Sequence, residues 1–206
     1  MKGRRPRKNG SKAPQRPDVG SVLAALQESA RAKIDVSPVE AGKIVQAAGM
    51  LVDAFRRGNK VILFGNGGSA ADAQHIAAEL VGKFGMVRAA LPALALNVNT
   101  SVITSISNDV EYNAVFSRQV EALAVRGDVV IGISTSGRSR SVLEGIRAAR
   151  AKGAHTIGMT GLEGAPLRNA VGLCLTAPSQ KTPRIQEVHI TMGHIICELV
   201  EEKLFG

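Results

Sequence analysis

Residues 61–80 read VILFGNGGSAADAQHIAAEL, and this stretch decides the fold class. Val61 to Phe64 is a short apolar run suited to a buried strand. The chain then turns through Gly65, Asn66, Gly67, Gly68 and Ser69 and enters a helical pattern carrying His75 and Glu79. Strand, glycine-rich turn and helix in that order build a pocket for an anion. The backbone N–H groups at a helix start carry partial positive charge and lack partners inside the helix, and glycines let that backbone approach a ligand closely. A spacing of four puts the His75 and Glu79 side chains on one helical face. An imidazole and a carboxylate so placed can share a divalent metal or act as an acid/base pair.

Outward from this stretch, helices and apolar strands alternate. Val19 to Ile34 has apolar positions at a helical period. Ser37-Pro38-Val39-Glu40 reads as the N-cap and first turn of a second helix, which Gly58-Asn59 stops after Arg57. Downstream, strands are predicted at Ala93–Val98, Asp128–Ser134, Ala154–Met159 and Val171–Thr176. Helices are predicted at Val110–Leu123, Arg140–Lys152 and, after a linker at Pro178–Thr182, Pro183–Leu204. Strands that are apolar throughout and alternate with helices argue for an α/β fold: a five-stranded parallel sheet covered on both faces. Ligands of such sheets bind beyond the carboxyl ends of the strands, at the topological switch point.

With 206 residues, one domain over 19–206 is expected. Its six aromatic residues make the core aliphatic and leave no platform for stacking nucleic-acid bases. The net charge of +9 points the same way once located: residues 1–20 hold seven of the 26 Lys/Arg and one acidic residue, so the body is near neutral. Residues 1–18 are Pro-, Gly- and Lys/Arg-rich with few apolar side chains, which predicts a disordered basic tail and not a binding arm or a secretory signal. No apolar stretch is long enough to span a membrane. Cys174 and Cys197 sit in apolar runs and read as buried thiols in a reducing, cytoplasmic setting.

The turn at Gly65–Ala70 also matches a dinucleotide-binding fingerprint, but that reading needs a carboxylate at the end of the next strand. The strand ends Leu96-Asn97-Val98-Asn99, so the nucleotide reading loses. The loop Ser134-Thr135-Ser136-Gly137-Arg138-Ser139 carries four hydroxyls in six residues where a strand gives way to a helix, which suits a phosphate. In the closing helix, His189 and His194 follow Gln186 and Glu187, so three of the four histidines fall in two helices beside these polar residues. That clustering favours a functional site over packed core histidines. His155 is assigned to structure.

FGNGGSAADAQH, the SND at Ser107–Asp109, GISTSG, and TPRIQEVHI with His194 together resemble the phosphoheptose (sedoheptulose 7-phosphate) isomerase family, single sugar-isomerase (SIS) domains of flavodoxin-like fold. The resemblance covers about Val19 to Phe205. It implies isomerisation of sedoheptulose 7-phosphate to D-glycero-D-manno-heptose 7-phosphate, toward heptose for lipopolysaccharide or capsule, by a zinc-dependent homotetramer. By position it implies His75, Glu79, Gln186 and His194 as metal ligands, with Glu79 and His194 catalytic. Asn66, Gly67, Gly68, Asn108, Asp109 and Gln186 would contact the sugar, and Ser69, Ser134, Thr135, Ser136 and Ser139 the phosphate. Arg138 stands where many members have Asn, and Pro183 where some have Asp. Related non-catalytic adaptors, which bind a replication initiator or sense sugar phosphates, lack residues matching Glu79 and His194, so the enzyme reading wins. An isomerase of another sugar phosphate stays open.

Helix geometry adds one constraint. Gln186 and His194 are eight residues apart, about 12 Å along an unbroken helix, and their Cα–Cβ bonds tilt the same way. Metal bonds to N or O are only about 2 Å long. Either the closing helix begins after Gln186, or one ligand comes from a neighbouring subunit.

Overall fold

A computed structural model describes residues 18–206, so the basic stretch before Asp18 lies outside the described residues. Helix α1 (Val19–Ile34) starts where the Asp18 carboxylate accepts the Ser21 N–H at 2.8 Å. Helix α2 (Pro38–Arg56) starts at Ser37, whose hydroxyl accepts the Glu40 N–H. The Glu40 carboxylate does not close a capping box; it reaches 136 residues along the chain to accept the Thr176 N–H at 2.6 Å.

Five strands, β1 (Val61–Gly65), β2 (Ala93–Ala95), β3 (Val129–Ile133), β4 (His155–Thr160) and β5 (Leu173–Thr176), form a parallel sheet in the order β2-β1-β3-β4-β5. Strand alternation assigns the two cores. Val61 and Leu63 point to the face covered by α2, by α3 (Gly68–Val81) and by α8 (Thr182–Phe205). Ile62 and Phe64 point to the face covered by α5 (Val115–Leu123), α6 (Arg140–Ala151) and α7 (Ala165–Ala170). Phe64 stacks on Phe116 with ring centroids 4.8 Å apart. The three-layer α/β sandwich expected from the sequence is therefore observed. β1 is flanked by β2 on one side and β3 on the other, so successive crossovers diverge from it. The crevice they open lies beyond the carboxyl ends of β1 and β3.

The largest departure from the sequence reading follows β2. The strand was expected to run to Val98, but the Asn97 side chain takes over the ladder, donating to the Gly65 carbonyl at 2.8 Å. Asn99 then caps α4 (Thr100–Asp109), a helix missed in TSVITSISND because Thr, Val and Ile are weak helix formers. The expected helix 110–123 begins with a 3-10 turn at Tyr112–Ala114 before α5, and α7 was also missed.

Candidate active site

Helices α3 and α8 pack closely because Gly193 has no side chain; a Cβ there would lie 2.6 Å from Ile76 Cδ1. The next residue, His194, is thereby brought to His75 and Glu79 of α3. His75 Nε2 lies 2.9 Å from His194 Nε2 and 3.1 Å from Glu79 Oε1. One ligand atom from each of the three residues fits within 4.8 Å of the others. Two imidazoles and a carboxylate converging on one point are the donor set of a catalytic zinc site that keeps a position open. Gln186 is not brought to this point by helix geometry. Helix α8 begins at Thr182 and is continuous, which removes the possibility that it starts after Gln186. The Gln186 amide instead lies on the start of α3: a Cβ at Gly68 would sit 2.4 Å from its Nε2.

A buried ion pair frames the cluster. Arg88 Nε donates to Glu201 Oε1 at 2.9 Å, with both side chains almost wholly enclosed. Arg88 also donates to the carbonyls of Glu79 and Leu80, satisfying acceptors at the end of α3. Glu201 accepts the N–H groups of Phe84, Gly85 and Met86. Burial opposes its charge, but these N–H groups and Arg88 outweigh it and hold the carboxyl down at about 2. The loop so fixed sets the Phe84 ring 5.5 Å from that of His194.

At the ends of β1 and β3 the two expected loops meet. Gly67 has φ +57°, a left-handed conformation suited to glycine, and forms the N-cap of α3. Asn66 Nδ2 donates to Ser139 Oγ at 2.8 Å and to Ser141 Oγ at 3.0 Å, and Tyr112 O–H donates to Asn66 Oδ1 at 2.7 Å. Ser69 and Ser134 are buried, Thr135 and Ser139 are half-buried, and Ser136 is exposed. Thr135 and Ser136 line a narrow cleft with Glu163, Ser179, Gln180 and Thr182. Asn108 and Asp109 are exposed at the end of α4, where Asn108 Nδ2 donates to Asp109 Oδ1.

Known proteins match this geometry and sequence. Residues 26–161 match the family model described as SIS domain. The phosphoheptose isomerase of Geobacter sulfurreducens is 56% identical over 165 residues, 80% of this chain and 87% of that protein. That of Aquifex aeolicus is 52% identical, covering 88% of this chain and 95% of its own. Among solved structures, the phosphoheptose isomerase of Neisseria gonorrhoeae superposes with a TM-score of 0.84 at 40% identity, over 89% of this chain and 98% of that one. That of Francisella tularensis superposes with a TM-score of 0.85 at 32% identity, over 89% of this chain and 97% of its own. The chain belongs to the phosphoheptose isomerase family of SIS-domain proteins.

Besides the Arg88–Glu201 pair, three features of this phosphoheptose isomerase family member were not read from its sequence. Asp72 lies one turn before His75, and its Oδ2 is buried without a hydrogen-bond partner. Burial pushes its carboxyl up to about 6, against the pull of His75. The signal was available: Asp72, His75 and Glu79 follow the three- and four-residue steps of one helical stripe. Tyr112 and Ser141, around Asn66, are the second. The third is that His189 stands apart from His75 and His194. It is fully buried, with Nε2 bonded to the Thr160 carbonyl at 3.1 Å, and burial lowers it to about 4. His155 is exposed at the start of β4, the opposite end of the sheet from the site. Arg138 is exposed and Pro183 lies in the first turn of α8.

Proposed function

We propose that this protein is an aldose–ketose isomerase that converts sedoheptulose 7-phosphate into D-glycero-D-manno-heptose 7-phosphate for heptose-containing polysaccharide. The observation that carries the reading is the convergence of His75, Glu79 and His194 in a chain whose relatives are phosphoheptose isomerases. Ketose–aldose exchange removes a proton from C1, passes through an enediol, and returns a proton at C2. Glu79 takes the C1 proton, which exchanges with solvent while the enediol is bound, and returns a proton at C2, while His194 moves the proton between the C2 and C1 oxygens. A carboxylate has two oxygens, so Glu79 can serve as ligand and as base.

His75, Glu79 and His194 would hold a zinc ion, which when bound would supply Lewis-acid polarisation of the substrate carbonyl. The hydroxyls of Thr135, Ser136 and Ser139, with the buried Ser69 and Ser134 beneath them, form the phosphate end. Binding there orients the reacting carbons against Glu79.

The working unit in this reading is a cytoplasmic homotetramer of one SIS domain per chain, with active sites shared between subunits. Support comes from apolar surface that a single chain leaves open. On α1, Val22, Leu23 and Leu26 are more than half exposed. No residue of α4 is fully buried, although it carries Val102, Ile103 and Ile106. Such faces are normally covered by association. Gln186 then completes a ligand set, and Asn108 and Asp109 reach a sugar, across an interface. Among the described residues no helix is long and apolar enough to cross a membrane.

The test is direct turnover. Purified protein given sedoheptulose 7-phosphate should yield the aldose 7-phosphate to a fixed ketose/aldose ratio from either direction. Turnover of a different ketose phosphate with higher kcat/KM would keep the chemistry and replace the substrate. No turnover of any ketose phosphate would end the enzyme reading.

A further inference from the structure

We propose that Tyr112 is a positioning residue for the phosphate subsite, acting through Asn66 to make the Ser139 hydroxyl an obligate donor. The proposal rests on the phosphate reading of the Ser134–Ser139 loop, and it reassigns Asn66 from a sugar contact to the hub of that subsite.

Tyr112 O–H donates to Asn66 Oδ1 at 2.7 Å, so the amide oxygen faces the phenol and the amide nitrogen faces the serines. The other end, Nδ2, carries two protons and no acceptor. It spends them on Ser139 Oγ at 2.8 Å and Ser141 Oγ at 3.0 Å. Ser141 is only 2% exposed, and the oxygen within reach of its own hydroxyl proton is Ser139 Oγ, 3.2 Å away. Ser139 Oγ therefore accepts two hydrogen bonds, which fills both lone pairs. Its remaining capacity is one O–H, and Ser139 is half-buried at the mouth of the β1/β3 crevice, so that proton faces outward. An acceptor-only ligand such as a phosphate dianion satisfies it; a ligand hydroxyl offering a proton does not.

Without the phenol, Asn66 Oδ1 loses the donor it faces, and the arrangement with Nδ2 toward the serines loses its stabilising partner. Rotated by 180°, the amide would present Oδ1 to the two serines, which would turn their protons inward onto Asn66. Ser139 would then face the ligand with a lone pair. The network ties together the turn after β1, the 3-10 turn before α5 and the start of α6.

Tyr112 is half exposed, so Tyr112→Phe removes one oxygen and leaves packing alone. Inorganic phosphate is the probe, followed by calorimetry or by competition against sedoheptulose 7-phosphate. Tyr112→Phe should weaken phosphate binding and raise KM by about 3- to 10-fold, the usual worth of one hydrogen bond, with kcat within about twofold of wild type. Ser139→Ala should weaken phosphate comparably, and the double variant should bind no more weakly than Ser139→Ala alone.

Unchanged phosphate affinity in Tyr112→Phe would overturn the proposal, as would effects that add in the double variant. A fall in kcat at constant KM would overturn it too, since Tyr112 would then act at the reacting carbons. Those outcomes leave the isomerase reading standing; a wild-type protein that binds no phosphate removes the subsite and the proposal together.

Discussion

His75 Nε2 lies 2.9 Å from His194 Nε2, although 119 residues separate them. Two imidazole nitrogens so close repel unless a proton or a cation lies between them, and Glu79 Oε1 approaches the same nitrogen at 3.1 Å. The three ligand atoms lie within 4.8 Å of one another, so His75, Glu79 and His194 would together hold a divalent ion such as zinc. Zinc at about 100 times its Kd should add about 2.7 kcal/mol of stability, raising Tm by several degrees. His75→Ala should abolish the zinc-dependent rise in a thermal melt. A rise of equal size in His75→Ala would place the metal elsewhere.

Asp72→Asn should stabilise the chelator-treated protein at neutral pH. The Asp72 carboxyl has a folded value of about 6 against 3.8 for the free side chain. The folded state therefore holds more protons than the unfolded state between these values, and stability falls as pH rises through that window. Above pH 6 a buried, unpartnered charge remains, and a neutral amide costs less there. Melts at pH 7.5 should show a Tm gain of about 2–4 °C, corresponding to about 1 kcal/mol, and the gain should vanish near pH 4. A lower Tm at pH 7.5 would refute the assignment.

Removing one partner of the Arg88–Glu201 pair should destabilise by about 3–5 kcal/mol, because the other charge is left buried and unpaired. Glu201→Gln also loosens the loop that holds Phe84 beside His194, so zinc affinity should fall by about 10-fold. The carboxyl is depressed, so its stabilisation is full above about pH 4.5 and is lost as pH falls toward 2. Wild type should therefore lose more Tm over that range than Glu201→Gln. Parallel Tm curves for the two proteins over that range would contradict this.

Shared sites predict complementation. Helix α8 runs unbroken through Gln186 and His194, so about 12 Å separates them along one chain. Mixing inactive Glu79→Gln and Gln186→Ala chains under subunit exchange should restore activity, because some interfaces regain a full ligand set. No recovery after proven exchange, shown by mixed-mass oligomers, would put every ligand in one chain.

How much of this was legible in the sequence depended on whether the signal was local. The β1 strand, its glycine turn and the His75/Glu79 spacing are contiguous, and apolar strands alternating with helices implied the parallel sheet. Helix α4 was hidden because its Thr, Val, Ile and Ser residues favour other conformations, and only the Asn99 cap argues for it. Arg88 and Glu201 are 113 residues apart, and Tyr112 and Asn66 are 46 apart. No spacing rule connects such pairs; the fold does. Asp72 shares the helical stripe of His75 and Glu79, but the burial that sets it apart comes from packing and not from spacing.

In the proposed function Glu79 moves a proton between C1 and C2 of a phosphorylated ketose. The most direct measurement is NMR of sedoheptulose 7-phosphate turning over in deuterated water, with wild type and Glu79→Gln side by side. Wild type should place solvent deuterium at C2 of the aldose and at one C1 position of the recovered ketose. Glu79→Gln should lose exchange by about 10³-fold while still binding inorganic phosphate. Exchange at the wild-type rate in Glu79→Gln, or aldose formed by wild type with no solvent hydrogen at C2, would contradict the account.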